Sequence, residues 1–304
     1  MSAYHTPVLL KESVDGLNIS PDGIYVDVTY GGGGHSVEIL NKISRGKLFA
    51  FDQDEDAAKK LPDDKRFFFI QGNFRFLKNY LNYYGVKYID GLLADLGVSS
   101  HHLNTPERGF TYRAVADLDM RMNRNSKLTA EIIINEYDSD RLSGIFLEYG
   151  ELHQARRLAN AIIQCRLKQR IVTTAQLISS IEPLVPKQVE NQYLSKVFQA
   201  LRIEVNHELD NLEEMLFSAV EMLKPCGRLV IISYHSLEDR LVKNFMRWGN
   251  TREQPVKDIY GNSYAPFRII SKKPLVAGDE EVQRNPRARS ARLRIAEKKK
   301  DGSV

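Results

Sequence analysis

The sequence has few of the features that mark secreted, disulfide-bonded or membrane proteins. Its 304 residues include only two cysteines, Cys165 and Cys226, which are far apart, so neither a disulfide framework nor a cysteine zinc site is expected. No apolar run approaches the roughly 18 residues that a membrane span requires. The first residues show no signal-peptide pattern. The sequence therefore predicts a soluble, cytoplasmic protein.

Charge is unevenly distributed along the chain. The formal net charge is +4, yet residues 151–202 hold eight Lys/Arg against three acidic residues, and residues 284–300 hold eight against one. The remainder of the chain is consequently acidic. Two basic segments on an acidic body favour a polyanionic partner, with nucleic acid as the leading candidate. Solvated helix faces and a disordered tail are the alternative explanation of these runs.

A glycine-rich turn organises the first part of the chain. An apolar strand is predicted over residues 24–28, and it is followed by four consecutive glycines at positions 31–34 and a helical pattern over 37–43. Glycines at such a turn let backbone N–H groups approach a bound molecule closely. A second strand over 47–51 ends in Asp52, which is placed to bind the two hydroxyls of a ribose. The glycine turn and Asp52 together suggest a cofactor that contains a ribonucleoside, either a dinucleotide or S-adenosylmethionine.

The glycine spacing separates these two cofactors. A dinucleotide fingerprint needs Gly or Ala at its sixth position, but that position is Ser36 when counted from Gly31 and Val37 when counted from Gly32. A nicotinamide-dependent oxidoreductase is therefore disfavoured. A turn of this kind suits a cofactor without phosphates. The alternative is a flexible turn between a strand and a helix.

Alternating β and α patterns predict the fold. The predicted strands are residues 24–28, 47–51, 66–71, 89–94 and 228–233, with a terminal pair at 267–271 and 291–296. This pattern predicts a doubly wound, Rossmann-like parallel sheet, and the terminal pair is what a class I S-adenosylmethionine-dependent methyltransferase adds. Ligands of such sheets bind outside the carboxyl ends of the strands, so the loops after strands one to four should face one crevice.

The β signal stops for about a hundred residues after the fourth strand. Helical patterns occupy residues 128–135, 139–148, 152–169, 174–181 and 187–205. Thr173 or Thr174 is a plausible N-cap. We therefore predict three segments: a methyltransferase core over 1–103, an inserted all-helical substrate-recognition domain over 104–206, and the rest of the core with a basic tail over 207–304. A helix is also predicted after the fifth strand, beginning with a capping box of Ser236 and Asp239.

The order of longer motifs resembles one family, the bacterial 16S rRNA cytosine-N4-methyltransferases known as RsmH or MraW. The motifs, in chain order, are His5-Thr6-Pro7-Val8-Leu9, Gly33-Gly34-His35-Ser36, Asp95-Leu96-Gly97-Val98-Ser99-Ser100, Glu107-Arg108-Gly109-Phe110, Leu118-Asp119-Met120-Arg121-Met122, Phe198-Gln199-Ala200-Leu201-Arg202-Ile203, His235-Ser236-Leu237-Glu238-Asp239-Arg240 and Arg287-Ala288-Arg289-Ser290. The resemblance covers nearly the whole chain.

The resemblance implies an S-adenosylmethionine site. Its residues here would be Gly33, Gly34 and His35 at the methionine end, Asp52 at the ribose, Phe74 beside the adenine, and Asp95 with His102 near the reactive end. The family often has Pro and Gln after Ser100, where this chain has His101-His102. Strand ends independently favour Gly33, Gly34, Asp52 and Asp95. From the residues alone, His35 could cap a helix and Phe74 could belong to the core.

The resemblance also implies methylation of the exocyclic N4 amine of a decoding-centre (P-site) cytidine in 16S rRNA, within the 30S subunit, by a protein that forms homodimers. We hypothesise that Asp95, with Ser99, accepts a hydrogen bond from the amine, and that Tyr234 or His235 holds the flipped base. Arg108, Arg121 and Arg202 are either RNA contacts or internal salt bridges. In the tail, Arg287, Arg289 and Arg292 are the stronger candidates for phosphate contacts.

Two other functions remain open. A methyltransferase for a small metabolite would need a closed pocket, and the basic insert and tail argue against it. An RNA-binding or ribosome-assembly factor without catalysis should have a damaged cofactor site, yet Gly33, Gly34, Asp52 and Asp95 are all present. No metal site is predicted, because His101 and His102 have no carboxylate or cysteine at ligand spacing.

Overall fold

A computed structural model describes residues 7–98, 105–251, 254 and 265–300. The chain forms two compact units, one of residues 1–97 with 209–304 and the other of residues 98–208. Among the described residues, the first unit holds seven strands and the second is helical, so a helical stretch interrupts the chain of an α/β unit.

The α/β unit contains these elements: α1 (Leu10–Gly16), β1 (Ile24–Asp27), α2 (Gly34–Lys42), β2 (Lys47–Asp52), β3 (Phe67–Gln71), α3 (Leu77–Tyr83), β4 (Ile89–Asp95), β5 (Leu223–Ser233), α10 (Ser236–Trp248), β6 (Phe267–Ile269), α11 (Asp279–Arg284) and β7 (Arg292–Lys298). A further helix, α9 (Glu208–Met222), enters this unit from the helical one. Short 3-10 helices lie at Glu55–Lys59, Phe74–Phe76 and Pro286–Ser290.

The sheet has the order β3-β2-β1-β4-β5-β7-β6. The first five strands in this order are parallel, whereas β7 runs antiparallel to both β5 and β6. Apolar clusters cover both faces of the sheet, as a parallel sheet requires. The terminal strand pair and the parallel core confirm the predicted class I fold.

The helical unit contains α4 (Ala130–Glu136), α5 (Ser139–Glu148), α6 (Ala155–Arg166), α7 (Thr174–Ile181) and α8 (Glu190–Asn206), preceded by a 3-10 turn at Pro106–Arg108. These elements enclose an apolar core of their own. Thr173 caps α7: its hydroxyl accepts the Gln176 N–H and the Gln176 side chain accepts the Thr173 N–H. The capping box confirms Thr173 as the N-cap.

Candidate active site

Three aspartates end three neighbouring strands at the carboxyl edge of the sheet. Asp27, Asp52 and Asp95 are the last residues of β1, β2 and β4, and β1 lies between the other two strands. Parallel strands end at the same edge, so the three aspartates lie along that edge. This is the edge at which the sequence predicts a ligand crevice.

The turn between β1 and α2 requires glycine because neighbouring side chains occupy the space that a Cβ would need. Gly33 has φ of +79°, and a Cβ on it would lie 2.6 Å from the Tyr30 hydroxyl oxygen. A Cβ on Gly34 would lie 2.5 Å from Cγ of Pro7. Gly31 also has a positive φ, of +52°. The turn thus requires glycine. The Gly33 N–H is donated to the Tyr30 carbonyl oxygen at 2.7 Å, and Gly32 is exposed.

The Asp52 carboxylate is tied to this turn. Its Oδ2 accepts the Gly31 N–H at 2.8 Å and its Oδ1 accepts the Asp54 N–H at 2.9 Å. These two bonds fix the carboxylate beside the glycine backbone. The structure therefore brings together the turn and the acidic residue that the sequence pairs across about twenty positions.

Phe74 lies at the end of the neighbouring strand. Asn73 accepts the Arg75 N–H at 2.9 Å and donates its amide to the Gln53 side chain at 3.1 Å. These bonds join the loops after β2 and β3. Phe74 is partly buried against the core of the sheet, and it lies three residues after Gln71, which is paired with Asp52.

Asp27 belongs to the site although the sequence analysis did not single it out. It is 1% exposed, accepts the Thr29 N–H at 3.0 Å and accepts the Ser36 hydroxyl at 2.7 Å. Burial raises the pKa of this carboxyl group, and the charge of Asp95 adds to the shift. Thr29 in turn accepts the Asp95 N–H through its hydroxyl oxygen at 2.6 Å. The sequence does contain a signal for Asp27, because an acidic residue at the end of a strand is the same pattern that predicted Asp52 and Asp95.

His35 and Asp95 face each other at the start of α2. His35 is 5% exposed, and its Nε2 lies 3.1 Å from the carbonyl oxygen of Val8. A carbonyl only accepts, so Nε2 carries the proton and, in the neutral ring, Nδ1 is an acceptor. Nδ1 lies 3.9 Å from Oδ2 of Asp95. The other carboxylate oxygen, Oδ1, is buried and has no hydrogen-bond partner among the described residues.

Tyr234 follows β5 and lies beside Asp95. Its ring packs against Gly97, where a Cβ would lie 2.7 Å from Cε2 of the ring. Burial raises the pKa of the phenol, and the charge of Asp95 and a hydrogen bond to it raise the pKa further. The Tyr234 N–H donates to Oε2 of the buried Glu238 at 2.9 Å. Tyr234 is therefore a fixed, protonated phenol at the same edge.

His235 has a structural role that the sequence analysis did not predict. It is the N-cap of α10: Nδ1 accepts the Glu238 N–H at 3.4 Å, and Nε2 lies 3.1 Å from Glu238 Oε1. Both ring nitrogens face Glu238, so we no longer assign His235 to the base or to catalysis. The predicted Ser236–Asp239 capping box is wrong, because the cap lies one residue earlier.

Asp239 is instead an ion-pair partner. Its carboxylate binds Arg294 at 2.6 Å and Arg292 at 3.1 Å. Burial alone would raise the pKa of Asp239, but the hydrogen bonds and charges of the two arginines hold it below its ordinary value. Arg292, which the sequence predicts as a phosphate contact, thus already has an acidic partner, although about half of its side chain is exposed.

Three arginines of the helical unit turn out to be internal. Arg108 is 4% exposed and donates to the carbonyl oxygens of Arg121 and Met122. Arg121 pairs with both oxygens of Asp119, at 2.7 and 2.8 Å. Arg202 pairs with both oxygens of Glu208, each at 2.9 Å. The internal alternative holds for all three, so Arg108 and Arg202 no longer count as RNA contacts.

The remaining predicted residues differ in what the structure says of them. Arg287 is half-buried, and burial lowers the pKa of its guanidinium. Arg289 is exposed, with no ion-pair partner among the described residues. Both lie in the turn before β7, whose first residue, Arg292, is paired with Ser233 at the end of β5. Ser99 and His102 lie outside the described residues.

The donor set at this edge fits S-adenosylmethionine. The Asp52 carboxylate suits ribose hydroxyls, and the exposed Gly32 leaves room for a ligand beside it. His35 Nδ1 and Asp95 present acceptors to one point, which suits the ammonium of a methionine end.

In the described ranges, no helix is long and apolar enough to cross a membrane.

Comparisons with known proteins identify the family of the chain. The profile of the MraW methylase family matches residues 2–299. Relatives named ribosomal RNA small subunit methyltransferase H include a protein from Phocaeicola vulgatus, 56% identical over 97% of this chain and 98% of its own. Another, from Flavobacterium johnsoniae, is 53% identical over 97% of this chain and 98% of its own.

Solved structures are similar at a lower level. An rRNA methylase from Streptococcus thermophilus is 13% identical, with a TM-score of 0.41, over 97% of this chain and 99% of that chain. The family match covers nearly the whole chain and includes every described residue of the site. The chain belongs to the MraW methylase family.

Proposed function

We propose that this protein methylates the exocyclic N4 amine of a P-site cytidine in the decoding centre of 16S rRNA. S-adenosylmethionine is the cofactor. Small-subunit rRNA as the substrate is supported by the names of relatives that are more than 50% identical over almost the full chain. The cytidine and its N4 atom are supported by the motif resemblance.

The observation that carries the proposal is the Asp95 carboxylate. It ends β4 at the ligand edge, its Oδ1 is buried with no partner among the described residues, and its Oδ2 lies 3.9 Å from His35 Nδ1. No lysine or arginine in the described part of the chain pairs with it. An acceptor that is held in place and not neutralised can serve both a cationic cofactor and a target N–H group.

Bound S-adenosylmethionine supplies an electrophilic methyl group on a sulfonium. The protein must hold the amine in line with it and remove a proton from the nitrogen. The cytosine amine is a weak nucleophile, because its lone pair is delocalised into the ring. A hydrogen bond from its N–H to Asp95 favours a pyramidal nitrogen, and the same carboxylate is placed to receive the departing proton.

Tyr234 is the best candidate among the described residues to hold the base. It lies against Gly97 and hydrogen-bonds Asp95, and its backbone is fixed by Glu238. Aromatic rings stack on unpaired bases that have left a helix. We propose that Tyr234 stacks on or donates to the extruded cytosine. Ser99 remains proposed as a second acceptor.

We propose that RNA phosphates contact the segment before β7. Arg287, Arg289 and Arg292 lie there, at the carboxyl edge of the sheet. The helical unit remains a proposed substrate-recognition domain, but its exposed cations include Arg157, Lys168 and Lys187 rather than Arg108 or Arg202. We further propose that the substrate is the 30S particle, that the enzyme works in the cytoplasm, and that it forms homodimers.

The test is methyl transfer from tritiated S-adenosylmethionine to 30S subunits from cells that lack the activity, followed by nucleoside analysis. We expect N4-methylated cytidine at the P-site position. The Asp95→Ala protein should fold and should transfer no label. A different labelled nucleoside would overturn the assignment of N4, and bound cofactor without transfer by the wild type would favour an assembly factor.

A further inference from the structure

The N-terminal turn of residues 7–9 lies directly on the cofactor turn. Pro7 occupies the space that a side chain at Gly34 would need, with Cγ 2.5 Å from the position of that Cβ. Leu9, which precedes α1, has φ of 50° and ψ of 40°. A leucine in this left-handed conformation is strained, so it needs a partner that holds it there.

Glu281 is that partner. Its Oε1 accepts the Leu9 N–H at 2.7 Å, across 272 residues of sequence. Glu281 lies on α11, in the segment that joins β6 to β7, and that segment packs with the N-terminal turn in one apolar cluster. A charge-assisted hydrogen bond at this point fixes the direction of the adjacent peptide groups.

The hydrogen bond between Leu9 and Glu281 affects His35 through the neighbouring residue Val8. The Val8 carbonyl oxygen lies 3.1 Å from His35 Nε2 and therefore keeps the proton on that nitrogen. This leaves His35 Nδ1 as an acceptor, 3.9 Å from Asp95. A turn that was free to rotate would release the carbonyl, and the ring would lose both its orientation and its tautomer.

We propose that Glu281 is a positioning residue of the cofactor site, which acts through Leu9 and Val8 to fix the ring and the tautomer of His35. The proposal rests on the proposed function, since it assumes that His35 meets the cofactor. It assigns a role to the C-terminal segment beyond completion of the sheet.

The first experiment is calorimetric binding of S-adenosylhomocysteine to the full chain. Glu281→Leu removes the acceptor and should weaken binding about tenfold, which is about 1.4 kcal/mol. Glu281→Gln keeps an acceptor oxygen of the same reach and should retain most of the affinity. Glu281→Asp keeps the charge but is too short to reach the Leu9 N–H, so its affinity should fall as that of Glu281→Leu does. This variant also tests the proposal if Glu281→Leu folds poorly.

The matched control is Glu280→Leu. Glu280 lies next to Glu281 on α11, its side chain is 88% exposed and it pairs only with Arg284 among the described residues. Its substitution should leave binding unchanged. Equal affinities for Glu281→Leu, Glu281→Asp and the wild type would overturn the proposal.

A second readout is the tautomer of His35, read from long-range proton–nitrogen NMR spectra of the ligand-free protein and assigned with His35→Gln. We expect the Nε2–H form in the wild type and Glu281→Gln, and a mixture in Glu281→Asp. An unchanged signature in Glu281→Asp would contradict the proposal. If the wild type bound no S-adenosylhomocysteine, the proposed function would fail, while this spectrum would still decide whether Glu281 positions His35.

Discussion

Acidic side chains are used differently at the carboxyl edge of the sheet and in the helical unit. At the edge, Asp27 is held by a backbone N–H and a hydroxyl, and Asp95 faces a histidine. In the helical unit, Asp119 pairs with Arg121 and Glu208 with Arg202. Among the described residues neither Asp27 nor Asp95 is paired with an arginine or lysine, and we propose that Asp95 therefore acts on a ligand. A carboxylate that is paired with arginine is neutralised and serves the fold.

The largest test of this difference compares Asp95→Ala with Asp119→Ala. Asp95→Ala should lower methyl transfer at least about 100-fold, because the acceptor of the target N–H is lost, with the unfolding temperature nearly unchanged. Asp119→Ala should instead cost about 1–3 kcal/mol of unfolding free energy and leave transfer by the folded fraction nearly intact. Transfer assays and thermal unfolding of both proteins decide; normal transfer by Asp95→Ala would refute its assignment.

Two glycines allow a second comparison. In Gly34→Ala the new Cβ meets Pro7 at 2.5 Å, so we expect a loss of about 1–3 kcal/mol in stability and weaker binding of S-adenosylhomocysteine. Gly144 lies within α5 and a Cβ there meets nothing within 4 Å. Gly144→Ala should therefore stabilise the protein by up to about 1 kcal/mol. Denaturant unfolding and calorimetry measure both, and unchanged binding by Gly34→Ala would argue against a tight cofactor turn.

Arginines give a third comparison, measured as the salt dependence of rRNA binding. Arg289 is exposed, and Arg289→Ala should reduce the slope of log affinity against log salt by about one. Arg202→Ala should leave that slope unchanged and lower the unfolding free energy by about 1–3 kcal/mol, since Glu208 loses its partner. A slope change in Arg202→Ala alone would reverse our assignment of the RNA-facing residues.

The smallest effect is the pH dependence of stability. The pKa of Asp27 is raised by burial, so its stabilising contribution is present below the ordinary pKa of about 3.9 and is lost as pH rises through the folded pKa. Burial would also raise the pKa of Asp119, but Arg121 holds it below the ordinary value. Its contribution is therefore present above about pH 4 and is lost as pH falls.

The corresponding variants should behave oppositely. Relative to the wild type, Asp27→Asn should gain stability as pH rises from about 4 to 7. Asp119→Asn should be less stable at pH 7 and approach the wild type in acid. Denaturant unfolding across this pH range tests both directions, and parallel pH profiles for the two variants would remove the distinction between the regions.

Sequence reasoning located the site where local chemistry and strand position coincide. Gly33, Gly34, Asp52 and Asp95 follow predicted strands, and the structure places all four at one edge. Asp27 could have been found by the same rule. Glu281 could not, because nothing local links it to Leu9, 272 residues away.

Direction and pairing of side chains were the part that sequence could not supply. A count of basic residues marks a segment as cationic, but it does not show that Arg202 meets Glu208 or that Arg108 points inward. The predicted cap at Ser236 failed for a similar reason, since a histidine one residue earlier provides the acceptor. Patterns of residue type predict helices and strands better than they predict which side chains pair with each other.

The discontinuous α/β unit has a consequence for synthesis. Its edge draws on residues from Val8 to Arg292, whereas the helical unit is one continuous stretch of residues 98–208. Domains fold as their chains emerge from the ribosome, so the helical unit can complete its core while the sheet still lacks β5 and β7. The edge of the sheet is therefore completed last, when Glu281 reaches Leu9, and a chain released early carries a folded helical unit and an unfinished edge.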